Sequence, residues 1–89
     1  MKIVDSFWID TKSAVCTVDV TDDFFSADDL FVDVKIVFEG NGTLVYVMDN
    51  HDGTQLYDKK DNTYNMSKAN QDLVCRFVEE RMLREQNEA

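Results

Sequence analysis

The side chains best suited to covalent chemistry in this sequence are two cysteines and one histidine: Cys16, Cys75 and His51. A catalytic cysteine needs an imidazole beside it that draws off the thiol proton. Cys16 falls on the apolar side of a predicted strand, Cys75 lies opposite the apolar stripe of a predicted helix, and His51 lies in a predicted turn. We therefore expect the three not to meet, and the sequence predicts a protein that is not an enzyme.

Metal and disulfide chemistry are also disfavoured. One histidine and two distant cysteines do not supply the four ligands of a structural zinc site, and they are too few for a disulfide framework. The segment 50–53 invites comparison with a calcium loop. Aligning Gly53 with the sixth position of an EF-hand puts Met48 first and Lys59 twelfth, where ligands are required. The sequence predicts no metal, no cofactor, and two reduced thiols packed as small hydrophobes.

Carboxylates are the one chemical feature that stands out. The chain has 18 acidic and nine basic residues, a formal net charge of −9. Residues 1–58 hold 12 acids and three bases, whereas residues 59–89 hold six of each. This charge argues against direct binding of nucleic acid and against attraction to an anionic membrane. The segment 19–33 holds six acids and no base: Asp19, Asp22, Asp23, Asp28, Asp29 and Asp33.

These six aspartates have two interpretations. A dense negative charge keeps a small domain soluble and monomeric. It also repels itself, and a basic partner would relieve that repulsion across an interface. We predict that the six form the partner-binding site for a basic protein.

The elements that must position these groups belong to a single α+β domain over residues 1–89. With 44% hydrophobic residues the composition is globular. The pattern predicts an acidic β-rich part at 1–58 and a C-terminal helix at 66–86. The expected architecture is an antiparallel sheet of four to five strands, built from two consecutive hairpins, with the helix packed on one face. Without a signal peptide or a membrane-spanning apolar run, the chain is expected to be cytoplasmic.

Alternating apolar residues set the expected registers. A turn at Thr11-Lys12 would join strands 2–9 and 13–20, and Asn41-Gly42 would form a type I′ turn between 30–39 and 43–49. A turn at 52–53 would bring back an edge strand with Leu56 inward and Tyr57 outward. The side chains expected to face inward are Ile3, Phe7, Ile9, Val18, Val34, Ile36, Phe38, Val45, Val47, Leu73 and Phe77.

The predicted helix begins after Ser67, which is a suitable N-cap. Its apolar stripe is expected to contain Met66, Ala69, Leu73 and Phe77, flanked by Val74 and Val78. Met82 and Leu83 fall off that stripe.

A second candidate interface consists of aromatic side chains expected on the sheet face without a helix: Trp8, Phe31, Tyr46 and Tyr57. Two alternatives are open. The patch is exposed and binds a partner or a second copy of the chain. Otherwise the segment 21–29 folds over it, with Phe24 and Phe25 as anchors.

These features favour a protein that acts by binding. The leading hypothesis is a DNA-mimic-like inhibitor that blocks the basic surface of a nucleic-acid-handling protein. Small acidic inhibitors of host defence nucleases, made by phages and mobile elements, are similar to it in size and charge, although no motif identifies a family. The alternatives are an immunity or antitoxin-like protein directed against a basic toxin, and a homodimeric structural or assembly subunit.

Overall fold

The computed structural model describes residues 1–88 and shows one antiparallel sheet with one helix. Its six strands lie side by side in sequence order. The elements are β1 (Lys2–Trp8), β2 (Ser13–Asp19), β3 (Phe31–Glu39), β4 (Asn41–Asp49), β5 (Gln55–Asp58), β6 (Thr63–Tyr64) and α1 (Lys68–Glu88). The predicted α+β class is confirmed, with one more strand than expected. None of the described residues forms a helix long and apolar enough to cross a membrane.

The core lies between α1 and the central strands β2 and β3. Small and β-branched side chains alternate along both strands and are fully buried on one face: Ala14, Cys16, Val18, Val32, Val34 and Ile36. β-branched residues suit a pleated surface that is buried on one side. The helix contributes Val74, Val78 and Met82, which are spaced four residues apart and are also fully buried.

The first hairpin differs by one residue from its predicted register. Asp10 accepts hydrogen bonds from the backbone N–H groups of Lys12 and Ser13, both at 2.8 Å, and this lengthens the turn. Trp8 therefore lies opposite Ala14, where Ile9 was expected. A shift of one residue turns every side chain to the other face of a strand. The inward prediction is therefore wrong for Phe7 and Ile9, which are 56% and 51% exposed.

A β-bulge limits this shift to part of β1. The register changes between Ile3 and Asp5, so that Ile3 lies opposite Val18 and packs against the core as predicted. The intervening Val4 is 56% exposed.

The second hairpin turns one residue earlier than Asn41-Gly42. Gly40 takes the positive φ of 85°, and Glu39 lies opposite Asn41. A second bulge follows on β4, because Ile36 lies opposite Leu44 whereas Lys35 lies opposite Tyr46. Leu44, which is not in the expected inward set, is therefore buried. Val45, expected to face inward, is only half-buried, although Val47 is buried as predicted.

The helix begins where the sequence predicts, because the Ser67 hydroxyl accepts the backbone N–H of Asn70 at 3.1 Å. The predicted stripe is wrong in its centre. Leu73 is 44% exposed, Phe77 only borders the core, and Met82 is fully buried. The valine-lined sheet leaves room for the long, flexible methionine, which fills irregular spaces well.

The side chains of β5 also differ from expectation in the faces to which they point. Tyr57 lies opposite Val47 and is buried, whereas it was expected to point outward. Its ring meets that of Tyr64 edge-on, with centroids 5.5 Å apart. Leu56, expected inward, is half-buried and packs against the core.

Candidate functional site

Two acidic connections meet at one end of the sheet: the loop 20–30, between β2 and β3, and the turn 50–54, between β4 and β5. The backbone N–H of Asn50 donates to the Phe31 carbonyl at 2.9 Å. The Asn50 side-chain amide also donates to the Asp33 carboxylate at 3.1 Å. We call this region, with the carboxylates of residues 19–33 and 49–52, the acidic end.

Backbone hydrogen bonds close the loop 20–30 on itself. The N–H of Val20 donates to the Leu30 carbonyl at 3.0 Å, and the N–H of Ser26 donates to the Thr21 carbonyl at 2.9 Å. The Thr21 hydroxyl accepts the N–H of Leu30 at 2.9 Å. Phe24 and Leu30 pack against the core from this loop. The loop is therefore a formed structure whose backbone is held by hydrogen bonds and by two apolar contacts with the core.

Three of the six predicted site residues lie together. Asp19, Asp22 and Asp23 line a shallow cleft with Met1 and Lys2. The Asp23 carboxylate pairs with the amino group of Met1. Asp28 and Asp29, on the far limb of the loop, are exposed, and Asp33 lies on β3 beside Asn50.

Neutral donors hold two of these carboxylates without cancelling their charge. Asp19 accepts the Thr21 hydroxyl at 2.7 Å and the Thr21 N–H at 3.0 Å. These hydrogen bonds, followed by the positive charges of the Met1 amino group and Lys2, favour the ionised form, so the pKa of Asp19 lies below its usual value. Asp33 accepts the Thr17 hydroxyl at 2.7 Å.

The structure adds two carboxylates that the sequence analysis did not assign to the site. Asp49 accepts the N–H of His51 at 2.8 Å, and Asp52 accepts the N–H of Thr54 at 2.9 Å. The bond from Thr54 lowers the pKa of Asp52. The 52–53 turn was recognisable in the sequence. Its position beside the loop 20–30 follows from the pairing of β4 with β3, which the predicted hairpin of 30–39 with 43–49 already contained.

Ion pairs are distributed unevenly in the described part of the chain. Three lie along α1, each between residues four apart: Lys68–Asp72, Arg84–Glu80 and Arg81–Glu85. The pair of Met1 with Asp23 is the only one found among the described residues of the sheet and its loops. The helix thus balances its own charges, whereas the acidic end leaves most of its charge uncompensated.

We expect salt to raise the thermal stability for this reason. Uncompensated carboxylates repel one another, and about 0.5 M salt shortens the screening length to below about 5 Å. Tm measured in NaCl from about 20 to 500 mM should rise steadily. A flat or falling curve would show that the carboxylates are already compensated within the fold.

The four aromatic residues of the second candidate interface lie on two faces of the sheet, and not together on the one face where they were expected. Trp8 lies on the helix side, and its ring is 5.5 Å from that of Phe38. Tyr57 is on the same side. Phe31 and Tyr46 remain on the face without a helix, where Phe31 is 36% exposed.

The loop 20–30 does not cover that face in the predicted way. Phe24 packs against the core, whereas Phe25, its expected fellow anchor, is 93% exposed.

The two cysteines and the histidine lie in different environments. Cys16 is buried, and burial raises the pKa of its thiol to about 12. Burial also raises the pKa of Cys75, which lies on α1, is half-buried, and donates from its thiol to the Gly42 carbonyl oxygen at 3.5 Å. His51 is exposed at the acidic end. Both cysteines are free thiols, and no three potential ligand side chains within residues 1–88 are grouped to hold a metal ion.

The acidic end thus presents carboxylates on two neighbouring connections of the sheet. Comparisons with protein-family models, with curated proteins and with solved structures found no match to this chain.

Proposed function

We propose that this protein is a DNA-mimic-like inhibitor that binds the basic surface of a nucleic-acid-handling protein through the acidic end. The observation that carries the proposal is the largely uncompensated charge of two hydrogen-bonded connections at one end of the sheet. A phage or mobile-element protein directed against host defence would use such a surface.

The hydrogen bonding at the acidic end supports this use. Asp19, Asp33, Asp49 and Asp52 accept hydrogen bonds from neutral hydroxyl, amide and backbone N–H groups. Such donors fix a carboxylate in place and leave its negative charge available. A nucleic-acid-binding surface presents Lys and Arg side chains that are positioned to contact phosphate oxygens of the nucleic acid. Preorganised carboxylates meet that requirement with little loss of side-chain entropy on binding.

The mimicry would come from the two loops and not from a row of carboxylates along one strand. On β3, Lys35 follows Asp33 on the same face and interrupts such a row. The loop 20–30 and the turn 50–54 instead supply carboxylates from two neighbouring connections at one end of the sheet.

Affinity capture tests the proposal. The tagged protein is incubated with a lysate of the source cells at low salt, and bound proteins are eluted with a NaCl gradient. We expect salt to release a basic protein that binds nucleic acid by itself. A fluorescent DNA or RNA duplex bound to the purified partner should then be displaced as the acidic protein is added. Release of neutral proteins alone, or a duplex that stays bound at saturation, would refute the proposal.

Removing charge from the loop 20–30 should weaken that binding. The variant carries Asn in place of Asp22, Asp23, Asp28 and Asp29, which nearly preserves side-chain size. We expect the association rate to fall about tenfold or more and its salt dependence to flatten, because steering by charge is lost. Each close charge pair removed should cost about 1.5 kcal/mol or more. Surface plasmon resonance at several salt concentrations measures both effects.

A matched pair of double variants separates site from total charge. Asp28→Asn with Asp29→Asn and Asp72→Asn with Glu80→Gln remove the same number of charges from exposed positions. The helix pair should leave the association rate nearly unchanged. Equal effects of the two pairs would show that net charge acts without a defined site.

A further inference from the structure

Phe25 is an outlier in both exposure and backbone conformation. Its side chain is 93% exposed, the highest value among the exposed large hydrophobic residues, and its φ is 55°. A positive φ is rare for a bulky residue, because Cβ then crowds the following carbonyl group. Water contact and backbone strain both disfavour phenylalanine here, so its presence calls for a reason outside the free fold.

The loop enforces this conformation. The N–H of Phe24 donates to the Val20 carbonyl at 2.9 Å, and the N–H of Phe25 donates to the Asp22 carbonyl at 3.2 Å. Ser26 then closes back on Thr21 at 2.9 Å. The reversal at Phe25 lets Phe24 pack against the core while its neighbour projects into solvent. The closed loop orders the backbone that carries the ring, so that only the side-chain torsions remain to be fixed on binding.

Carboxylates surround the ring in sequence. Asp22 and Asp23 precede it, Asp28 and Asp29 follow it, and no basic residue lies within the loop. An apolar centre within a charged rim is the usual layout of an interface in which one aromatic residue carries much of the binding energy. The matching surface is an apolar pocket whose border carries Lys or Arg side chains.

We propose that Phe25 is the aromatic anchor of the acidic end and inserts into an apolar, cation-bordered pocket on the basic partner protein. This inference rests on the proposed function and adds to it: the carboxylates steer and orient the partner, whereas the ring holds it. The two roles affect different rate constants, because steering acts on association and a buried ring acts on dissociation.

A second copy of the chain is the competing occupant. A cleft on the sheet is lined by Val37 and Val45 and bordered by Lys59 and Lys60, which is similar chemistry, although Glu39 also lines it. The net charge of −9 opposes self-association and favours the heterologous partner. Sedimentation velocity at 150 mM NaCl distinguishes the two. A concentration-dependent dimer that Phe25→Asn abolishes would overturn the proposal.

Stability provides a test that needs no partner. Asn accepts the left-handed backbone conformation more readily than Phe and suits an exposed site. Phe25→Asn should therefore leave Tm unchanged or raise it by a few degrees. A drop of several degrees would show that the ring stabilises the free fold, and the anchor would be refuted.

Binding kinetics provide the decisive test, with the basic protein released in the salt gradient as the probe. Phe25→Asn should raise its dissociation rate about 30-fold or more, the scale of a dominant interface residue, with an unchanged salt slope. Phe7→Asn, at another exposed phenylalanine, is the matched control and should change neither rate. If wild-type protein retains no basic protein, the proposed function and the anchor both fail. If Phe25→Asn binds as tightly as wild type, the anchor alone fails.

Discussion

Replacing Met82 with alanine should destabilise the protein by about 2–5 kcal/mol, the usual range for truncating a large buried side chain. Met82 is fully buried, about one helical turn beyond Val78 in the row of buried helix residues that begins at Val74. Its removal leaves a cavity that stiff valines on the sheet cannot fill. A domain of this size has a total stability of only about 5–9 kcal/mol, so the variant should be partly unfolded near 37 °C.

The neighbouring residue is the control for this prediction. Leu83 is 38% exposed, and Leu83→Ala should cost well under half as much. Urea unfolding followed by circular dichroism gives both values. A larger loss at Leu83 than at Met82 would mean that the helix presents a different face to the sheet.

Gly42→Ala should destabilise the protein by about 1–3 kcal/mol, because a close contact between helix and hairpin allows no side chain there. A Cβ on Gly42 would lie 2.6 Å from Glu79 Oε2 and 2.7 Å from Ile36 Cδ1. Glu79 would have to leave the Gly42 N–H, which it accepts at 2.6 Å, and Ile36 would have to shift within the core.

A double-mutant cycle checks the cause. In the Glu79→Ala background one of the two obstacles is gone and the hydrogen bond is already lost. The added cost of Gly42→Ala should then fall by about 1 kcal/mol or more. Additive costs would refute a contact between these two residues.

Gly42 also shows why the fold class was predictable and the details were not. The pair Asn41-Gly42 correctly indicated a hairpin, because such pairs favour tight turns. The positive φ nevertheless falls on Gly40, and Gly42 serves the approach of Glu79. The sequence shows a glycine at this position. It does not show whether the glycine is there for its own backbone conformation or for the close approach of a distant helix.

The strand registers were predicted incorrectly for a similar reason. A single carboxylate, Asp10, lengthens the first turn and thereby exposes Phe7 and Ile9. Two bulges then change the faces again within β1 and β4. Strict alternation of period two predicts that strands exist, but a turn or bulge of one residue decides which side chains meet.

The acidic site was partly visible in the sequence because charge density needs no register. The aspartates of 19–33 were identified by counting, and the loop between β2 and β3 carries four of them. The predicted hairpin of 30–39 with 43–49 already placed Asp49 and Asp52 beside this segment, but a count of charges along one stretch of sequence did not combine the two. The exposure of Phe25 depends on a reversal of φ that the sequence does not reveal.

The order of strands has a consequence for how the chain folds. Each strand pairs with its sequence neighbour, so every sheet contact closes a short loop and costs little chain entropy. The chain contains no proline, which removes the commonest source of slow refolding. The helix comes after all six strands, so the valine face is open to water until residues 74–82 dock. Refolding should thus be rapid, and the period of greatest aggregation risk should be the interval before helix docking.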